Sequence, residues 1–249
     1  MKKVAKYFFK INTAACLLKT EGTTHRVSFY PENKQAPVFL DQIADFVAFE
    51  YLLETALQKF GFKSGLFRKN VAIVGVNING AASRVKDLFV SFDHIGFDET
   101  YIVSEHLALL FALLGEAYRS SFLNLYVGSE RIDVCLIEDG IIVEKLGITY
   151  SKPVLDKVIA GAETASSLQA TILDCVETLL PLSTTPQSLQ CILFGERLGD
   201  LPLEQKLSNY FSVPVMIVSD YQEKILQGME RIAAAEDFAT QLLGKRASL

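Results

Sequence analysis

Tryptophan is absent from the 249 residues, and there are only three histidines. No two histidines stand at a metal-ligand spacing. The four cysteines, Cys16, Cys135, Cys175 and Cys191, make no CxxC pair. That spacing gives no support to zinc-ribbon or thioredoxin-like chemistry and predicts buried, reduced thiols. No Walker loop, no G-x-S-x-G and no Cys–His combination supplies a nucleophile or a phosphate cradle. No long basic run is present, and the net charge is -5. Nucleic acid is therefore not an expected partner, because phosphate contacts need clustered Lys and Arg. The longest apolar run, residues 107–114, is far too short to span a bilayer. Lys6, Lys10 and Lys19 interrupt the apolar N-terminal stretch, so no signal-peptide core is expected. The expected location is the cytoplasm, with the inner face of the membrane as the variant. Lys2, Lys3 and Lys6 beside Tyr7, Phe8 and Phe9 would suit a basic-aromatic anchor there, but a strand explains the same residues.

What is there is apolar and repetitive. Half of the residues are hydrophobic and 21% are charged, the balance of a globular chain with a sizeable core. Residues 71–105 and 191–220 echo each other: an apolar strand, a glycine, a helical stretch, then a strand ending Ile-Val-Ser-acid. Gly75 and Gly195 stand 120 apart, Ser104 and Ser219 115 apart. Upstream, Cys16-Leu17-Leu18 precedes Gly22 as Cys135-Leu136-Ile137 precedes Gly140. Periodicity predicts a hairpin over 4–19 and 24–30, helices over 42–60, 81–92 and 105–118, and strands at 71–76 and 101–103. In the second half it predicts strands at 121–127, 132–138 and 141–148, and a helix over 153–180. Strands at 190–194 and 214–218, a helix over 203–211 and a closing helix over 221–243 follow. Each half reads β-β-(β)-α-β-α-β-α, a mixed sheet covered by helices.

This order, with several strings in it, resembles the actin-like ATPase superfamily and within it the MreB family. Ile43-Ala44-Asp45-Phe46 with Glu50 is similar to the entry into MreB's first long helix. Leu66-Phe67-Arg68-Lys69 before residues 71–76 resembles the approach to the next strand, and Arg84 to Asp87, then Gly96-Phe97 and Tyr101 to Glu105, resemble the helix, strand and connecting helix that follow. Residues 125–137 fall at the second phosphate hairpin, Phe194-Gly195 through Val218 at the adenosine motif, and Gly228 through Ala233 at the closing helix. The resemblance implies an actin-like (ribonuclease H-like) duplicated α/β fold, two mixed-sheet halves with helices on both faces and insertion subdomains reduced or absent. The halves are expected at 1–104 and 121–249, joined by a helix over 105–120.

The resemblance also says where chemistry belongs. Actin-type ATPases hold phosphates with two glycine-rich hairpins, each led by an acid that orients the water shell of Mg²⁺. Here the first hairpin reads Phe9-Lys10-Ile11-Asn12-Thr13-Ala14-Ala15, which sets Phe9 at the acid position and Ile11 at the glycine position. The second reads Tyr126-Val127-Gly128-Ser129-Glu130-Arg131-Ile132, with Tyr126 at the acid position. Glu130 would bring a carboxylate toward phosphate oxygens, and like charges ~4 Å apart repel by ~4 kcal/mol at an effective dielectric of 20. Arg131 would offset that charge or take an anion. The adenosine motif is reduced to Gly195-Glu196-Arg197. No metal or catalytic residue is expected. A degenerate nucleotide cleft of Asn12, Thr13, Gly128, Ser129, Glu130, Arg131, Gly195 and Glu196 remains for weak ATP or anion binding. Glu105-His106 is a candidate acid–base pair, with a helix N-terminal carboxylate as the simpler reading.

The expected function is that of a non-catalytic actin-like scaffold or regulator in bacterial cell-shape or envelope machinery. Its expected partners are itself, a related actin-like subunit or an inner-membrane envelope protein. Two alternatives stand beside it: a pilus-assembly-type adaptor gripping a peptide of a membrane partner, and a divergent ATP-binding enzyme.

Overall fold

The computed structural model describes residues 3–11, 15–28, 38–39, 42–43, 45–63, 67–77, 82–115, 120–128, 131–149, 164–179, 189–196, 203–212, 214–234 and 242–247. The chain divides into two units, Met1–Leu113 with Gln222–Leu249, and Leu114–Tyr221.

The first unit is built on strands β1 (Lys3–Ile11), β2 (Ala15–Thr20), β3 (Thr23–Ser28), β6 (Arg68–Val76) and β7 (Glu99–Ser104). A short pair, β4 (Val38–Phe39) and β5 (Gln42–Ile43), stands between β3 and the first helix. The helices are α1 (Phe46–Lys59), α2 (Ala82–Ile95) and α3 (Glu105–Leu114). In the second unit β8 (Phe122–Val127), β9 (Arg131–Glu138) and β10 (Ile141–Thr149) precede α4 (Thr164–Leu179), β11 (Gln190–Phe194), α5 (Leu203–Phe211) and β12 (Val215–Val218). The chain closes with α6 (Tyr221–Ile232) and β13 (Leu242–Ala247). One sheet has the order β13-β7-β6-β1-β2-β3, the other β10-β9-β8-β11-β12. Without β13 the two orders are the same plan, three antiparallel strands followed by two parallel ones.

The hairpin turns repeat as well. Glu21-Gly22 and Asp139-Gly140 both carry positive φ at both central residues (49° and 80°; 50° and 75°), the mark of a type I′ turn that matches strand twist. The expected long first strand is broken in the middle: β1 and β2 are separate antiparallel strands, and β2 and β3 form the predicted hairpin.

Helix boundaries follow local chemistry. The Asp45 carboxylate accepts the Ala48 N–H at 2.9 Å and caps α1, so the helix starts four residues later than periodicity predicts. Both α1 and α2 end in a Gly-Phe signal. Gly61 N–H reaches Gln58 O and Phe62 N–H reaches Leu57 O, while Gly96 reaches Asp93 and Phe97 reaches Phe92. These are Schellman closures, and each turns a phenylalanine inward. Phe62 and Phe97 meet at 4.9 Å between ring centroids, and both pack edge-on against Tyr7 at 5.5 Å. Two helix stops thus build one aromatic core on β1. Tyr7 and Phe9 point into this core and Phe8 is buried on the other face, so none of the three is free to anchor a membrane. Among the described residues no helix is long and apolar enough to cross one.

The C-terminal region departs from expectation. The closing helix stops at Ile232 and the chain returns as β13, antiparallel on β7. With α6 it belongs to the first unit, not the second, which corrects the predicted 1–104 and 121–249 halves; α3 likewise ends at Leu114, with 116–119 outside the described residues. The reason is packing on the face of the first sheet away from Phe9. A Cβ on Gly228 would strike the Ala108 carbonyl, so α6 lies directly on the α3 backbone. Arg231 donates to Phe111 O and Ala112 O at 2.9 and 2.8 Å, closing the end of α3. Lys6 donates to Ala233 O at 2.9 Å at the C-terminal end of α6, where a cation is favoured. Lys19 bridges Glu230 at 3.0 Å and Glu223 at 3.4 Å. Burial works against the Lys19 ammonium, but its bonds to Glu230 and Glu223 outweigh this and hold its pKa above the ordinary lysine value.

Substituting Gly228 by alanine should lower Tm by about 4–10 °C through overpacking; an unchanged melting curve would contradict the close helix contact. Thiol accessibility gives a second check. Cys16, Cys135 and Cys191 are buried, and desolvation raises all three thiols, that of Cys191 to about 12. With a disulfide reagent at pH 8, only the half-buried Cys175 should react before the chain unfolds. Rapid native reaction of two or more thiols would contradict this core.

Candidate functional site

Strand register decides which residues are equivalent in the two units. Ile11 faces Cys16 across one hairpin and Val127 faces Ile132 across the other, with residues 12–15 and 128–131 between them. One step back, Lys10 lies beside Gly75, which lies beside Val103. Tyr126 lies beside Phe194, which lies beside Val218. Lys10, not Phe9, is therefore the counterpart of Tyr126 at the head of its hairpin. Phe9 is on the opposite face, wholly buried against Phe92 at 4.8 Å and Phe97 at 5.6 Å. The Ile-Val-Ser-acid echo holds residue for residue, Ile102 to Glu105 against Ile217 to Asp220. The glycine echo is one position out, since Gly75 matches Phe194. The cysteine echo does not hold either, since Cys16 matches Ile132 at this end of the strand.

In the first unit the hairpin-leading side chain is a buried cation. Lys10 Nζ stands 3.3 Å from Glu105 Oε2, and both side chains are less than 5% exposed. Glu105 opens α3 directly after β7. Its Cγ comes within 3.4 Å of where a Gly75 Cβ would stand, and Met229 of α6 covers the same spot at 3.1 Å. The ordinary role foreseen for Glu105, a carboxylate at a helix N-terminus, is joined by a direct ion pair that sequence reading missed. The signal was available: period two puts Lys6 and Lys10 on one face of β1, with Phe8 between them, and Tyr7 and Phe9 on the other, so two lysines share a face that also carries a buried aromatic.

In the second unit the same position carries an aromatic. Tyr126 packs on Phe194 at 5.5 Å and on Tyr221 at 6.3 Å, and Phe194 and Tyr221 meet at 5.9 Å. The Tyr126 ring folds over Gly128, standing 2.6 Å from where its Cβ would be. Gly128 N–H is bonded to Arg131 O at 2.9 Å, closing the hairpin. Gly195 takes φ 136°, and a Cβ there would strike the Val127 carbonyl. Both surviving glycines thus have close neighbours inside the fold. Arg131 Nε lies 2.8 Å from Asp133 Oδ2, both buried, so the guanidinium faces a carboxylate of its own strand. Asp133, directly across from Tyr126, was passed over by sequence reasoning. Glu196 follows Gly195 as an exposed residue. Asn12, Thr13, Ser129, Glu130 and Arg197 lie outside the described residues.

The donor set does not fit a hydrated magnesium ion at the hairpin-leading positions. An ammonium offers no lone pair, and a phenol in an aromatic cluster carries no charge at neutral pH. Among the described residues no group of three His, Cys, Asp or Glu could hold a metal.

No protein-family model matches the sequence, and no curated protein matches it. Solved structures do. MreB 5 of Spiroplasma citri, bound to AMPPNP, is similar over 96% of this chain and 98% of its own, with a TM-score of 0.77 at 12% identity. MamK in a double helical filament is similar over 94% and 99%, with a TM-score of 0.74 at 12% identity. Apo psk41 ParM matches over 94% and 98%, with a TM-score of 0.63 at 11% identity. At this identity the likeness speaks for the fold alone: the chain has the actin-like duplicated fold, as the resemblance implied.

Replacing Lys10 by methionine should cost about 3–5 kcal/mol, because Glu105 is left buried without its counter-charge. Adding Glu105→Gln should recover most of that loss. Urea unfolding of both variants measures it, and equal instability of the single and double variants would contradict a coupled pair.

Proposed function

We propose that this actin-like chain has lost Mg-nucleotide as its switch and works through protein contacts, as a scaffold or regulator in bacterial cell-shape or envelope machinery. The Lys10–Glu105 pair carries the reading. The position from which the family's acid would orient a metal's water shell holds instead a positive charge, already neutralised by a buried carboxylate. A metal there would meet repulsion from the ammonium, or require the pair to open at a cost of several kcal/mol. The second unit supports the same conclusion, since its hairpin-leading side chain fills the space beside Gly128.

The partner class follows from the fold. MamK is similar in fold and its structure is a filament, which favours a second actin-like subunit, the same chain or a related one, as partner. An inner-membrane envelope protein is the second partner class of this proposal.

Purified protein should release no phosphate from Mg-ATP above background. It should also show no thermal shift with the nucleotide. Ligand at 100 times Kd would add about 2.7 kcal/mol, roughly 5–10 °C for a chain of this length. A shift of that size, or steady turnover, would overturn the proposal.

A further inference from the structure

β13 is an addition to a sheet plan that closes without it. Register equates β7 with β12, and among the described residues the second sheet ends at β12. In the first sheet the chain comes back after α6 and adds six residues antiparallel on β7, from Leu242 beside Val103 to Ala247 beside Glu99. The ladder is irregular between Leu242 and Gly244. The outer edge of β7 is thus a site that receives an extended strand, and the structure shows which strand it takes.

The connection that delivers this strand is short for its span. The end of α6 lies beside Lys6, which donates to Ala233 O. Lys6 is level with Val71 and Glu99, four residues along β7 from Val103. Three strand spacings separate β1 from β13. The chain has ~13 Å to cover along the strands and ~14 Å across them, ~19 Å in a straight line. Eight residue steps lead from Ala234 to Leu242, and they reach at most ~27 Å. An added strand on a short connection is the arrangement that favours exchange between copies, because a neighbour's strand makes the same bonds on the same edge.

We propose that the outer edge of β7 takes β13 of a second copy of this chain in place of its own, so that two chains trade these strands across a two-fold axis. Every bond of β13 to β7 is kept, in the same register. The traded and untraded states differ in the course of the connection and in the entropy of association. This gives the contact role proposed above its first partner and rests on that reading. The nucleotide assays test the reading by themselves, so a failure of one is distinguishable from a failure of the other.

Sedimentation velocity on the full chain provides the test. The wild type should be monomeric at about 50 µM, below the mM effective concentration of a tethered strand, and should move toward dimer at about 1 mM. Deleting residues 237–239 leaves five steps with ~17 Å of reach, too few to close on the same sheet. That variant should already be dimeric at about 50 µM, and a chain with about six Gly and Ser residues inserted after Ala239 should stay monomeric at about 1 mM. A chain cut after Gln241 should keep its circular dichroism and be monomeric at both concentrations. Trading is read directly by mixing Tyr101→Cys and Lys245→Cys proteins at the higher concentration, since these positions face each other across the pair. Oxidation should join the two different chains through these positions, as mass spectrometry will show. A wild type that stays monomeric at the higher concentration, or a monomeric deletion variant, would overturn the proposal. So would loss of fold or dimers in the cut chain, or a mixture without the cross-link.

Discussion

A lysine and a glutamate that face each other out of water fix the centre of the first unit. Lys10 comes from β1 and Glu105 from the first turn of α3, and neither charge has solvent to fall back on. Coulomb attraction between them must offset the desolvation of both, which it does only at short range and in one geometry. That requirement holds α3 against the strand end and keeps Gly75 small, since any side chain there would meet Glu105 and Met229. The closing helix then follows: Met229 lies over Gly75, Gly228 sits on the α3 backbone, and Lys6 and Lys19 tie its later turn and its end. Three lysines on one sheet face, each with its own acceptor, add polar ties to the apolar contact made by Ile225, Leu226, Met229 and Ile232, all wholly buried.

The second unit answers the same geometric demand with different chemistry. Tyr126 occupies the position of Lys10 and reaches Tyr221, directly after Asp220, the counterpart of Glu105. Aromatic packing needs no counter-charge and tolerates small shifts, whereas an ion pair does not. The two units thus share a backbone plan and differ in the side chain that leads each hairpin, Lys10 in one and Tyr126 in the other. The sheet order is shared between the two units, and the chemistry differs at the hairpin heads, where side chains can vary without disturbing the framework.

Much of the framework was legible. Alternating apolar strands, turn signals at Glu21-Gly22 and Asp139-Gly140, and the Ile-Val-Ser-acid strand ends all stand where the sequence implied. What escaped was set by tertiary context. β13 is short and carries Gly244, Lys245 and Arg246, so no strand pattern marks it; it forms on the β7 edge that receives it. Phe9 was matched to Tyr126 one residue out because Phe9 and Lys10 are neighbours and only register distinguishes the faces they serve. Arg131 looked like an anion ligand because the strand was expected to begin at residue 132; β9 begins at Arg131, which sets its side chain on the same face as Asp133 two residues on.

The most direct test of the account is hydrogen–deuterium exchange of the β1–β2 and β8–β9 hairpin peptides with and without millimolar Mg-ATP. If the hairpin heads are filled by Lys10 with Glu105 and by Tyr126 with its aromatic neighbours, exchange in both should be the same with and without nucleotide. Slowed exchange in both hairpins on adding Mg-ATP would mean that phosphates still reach them, and would contradict the account.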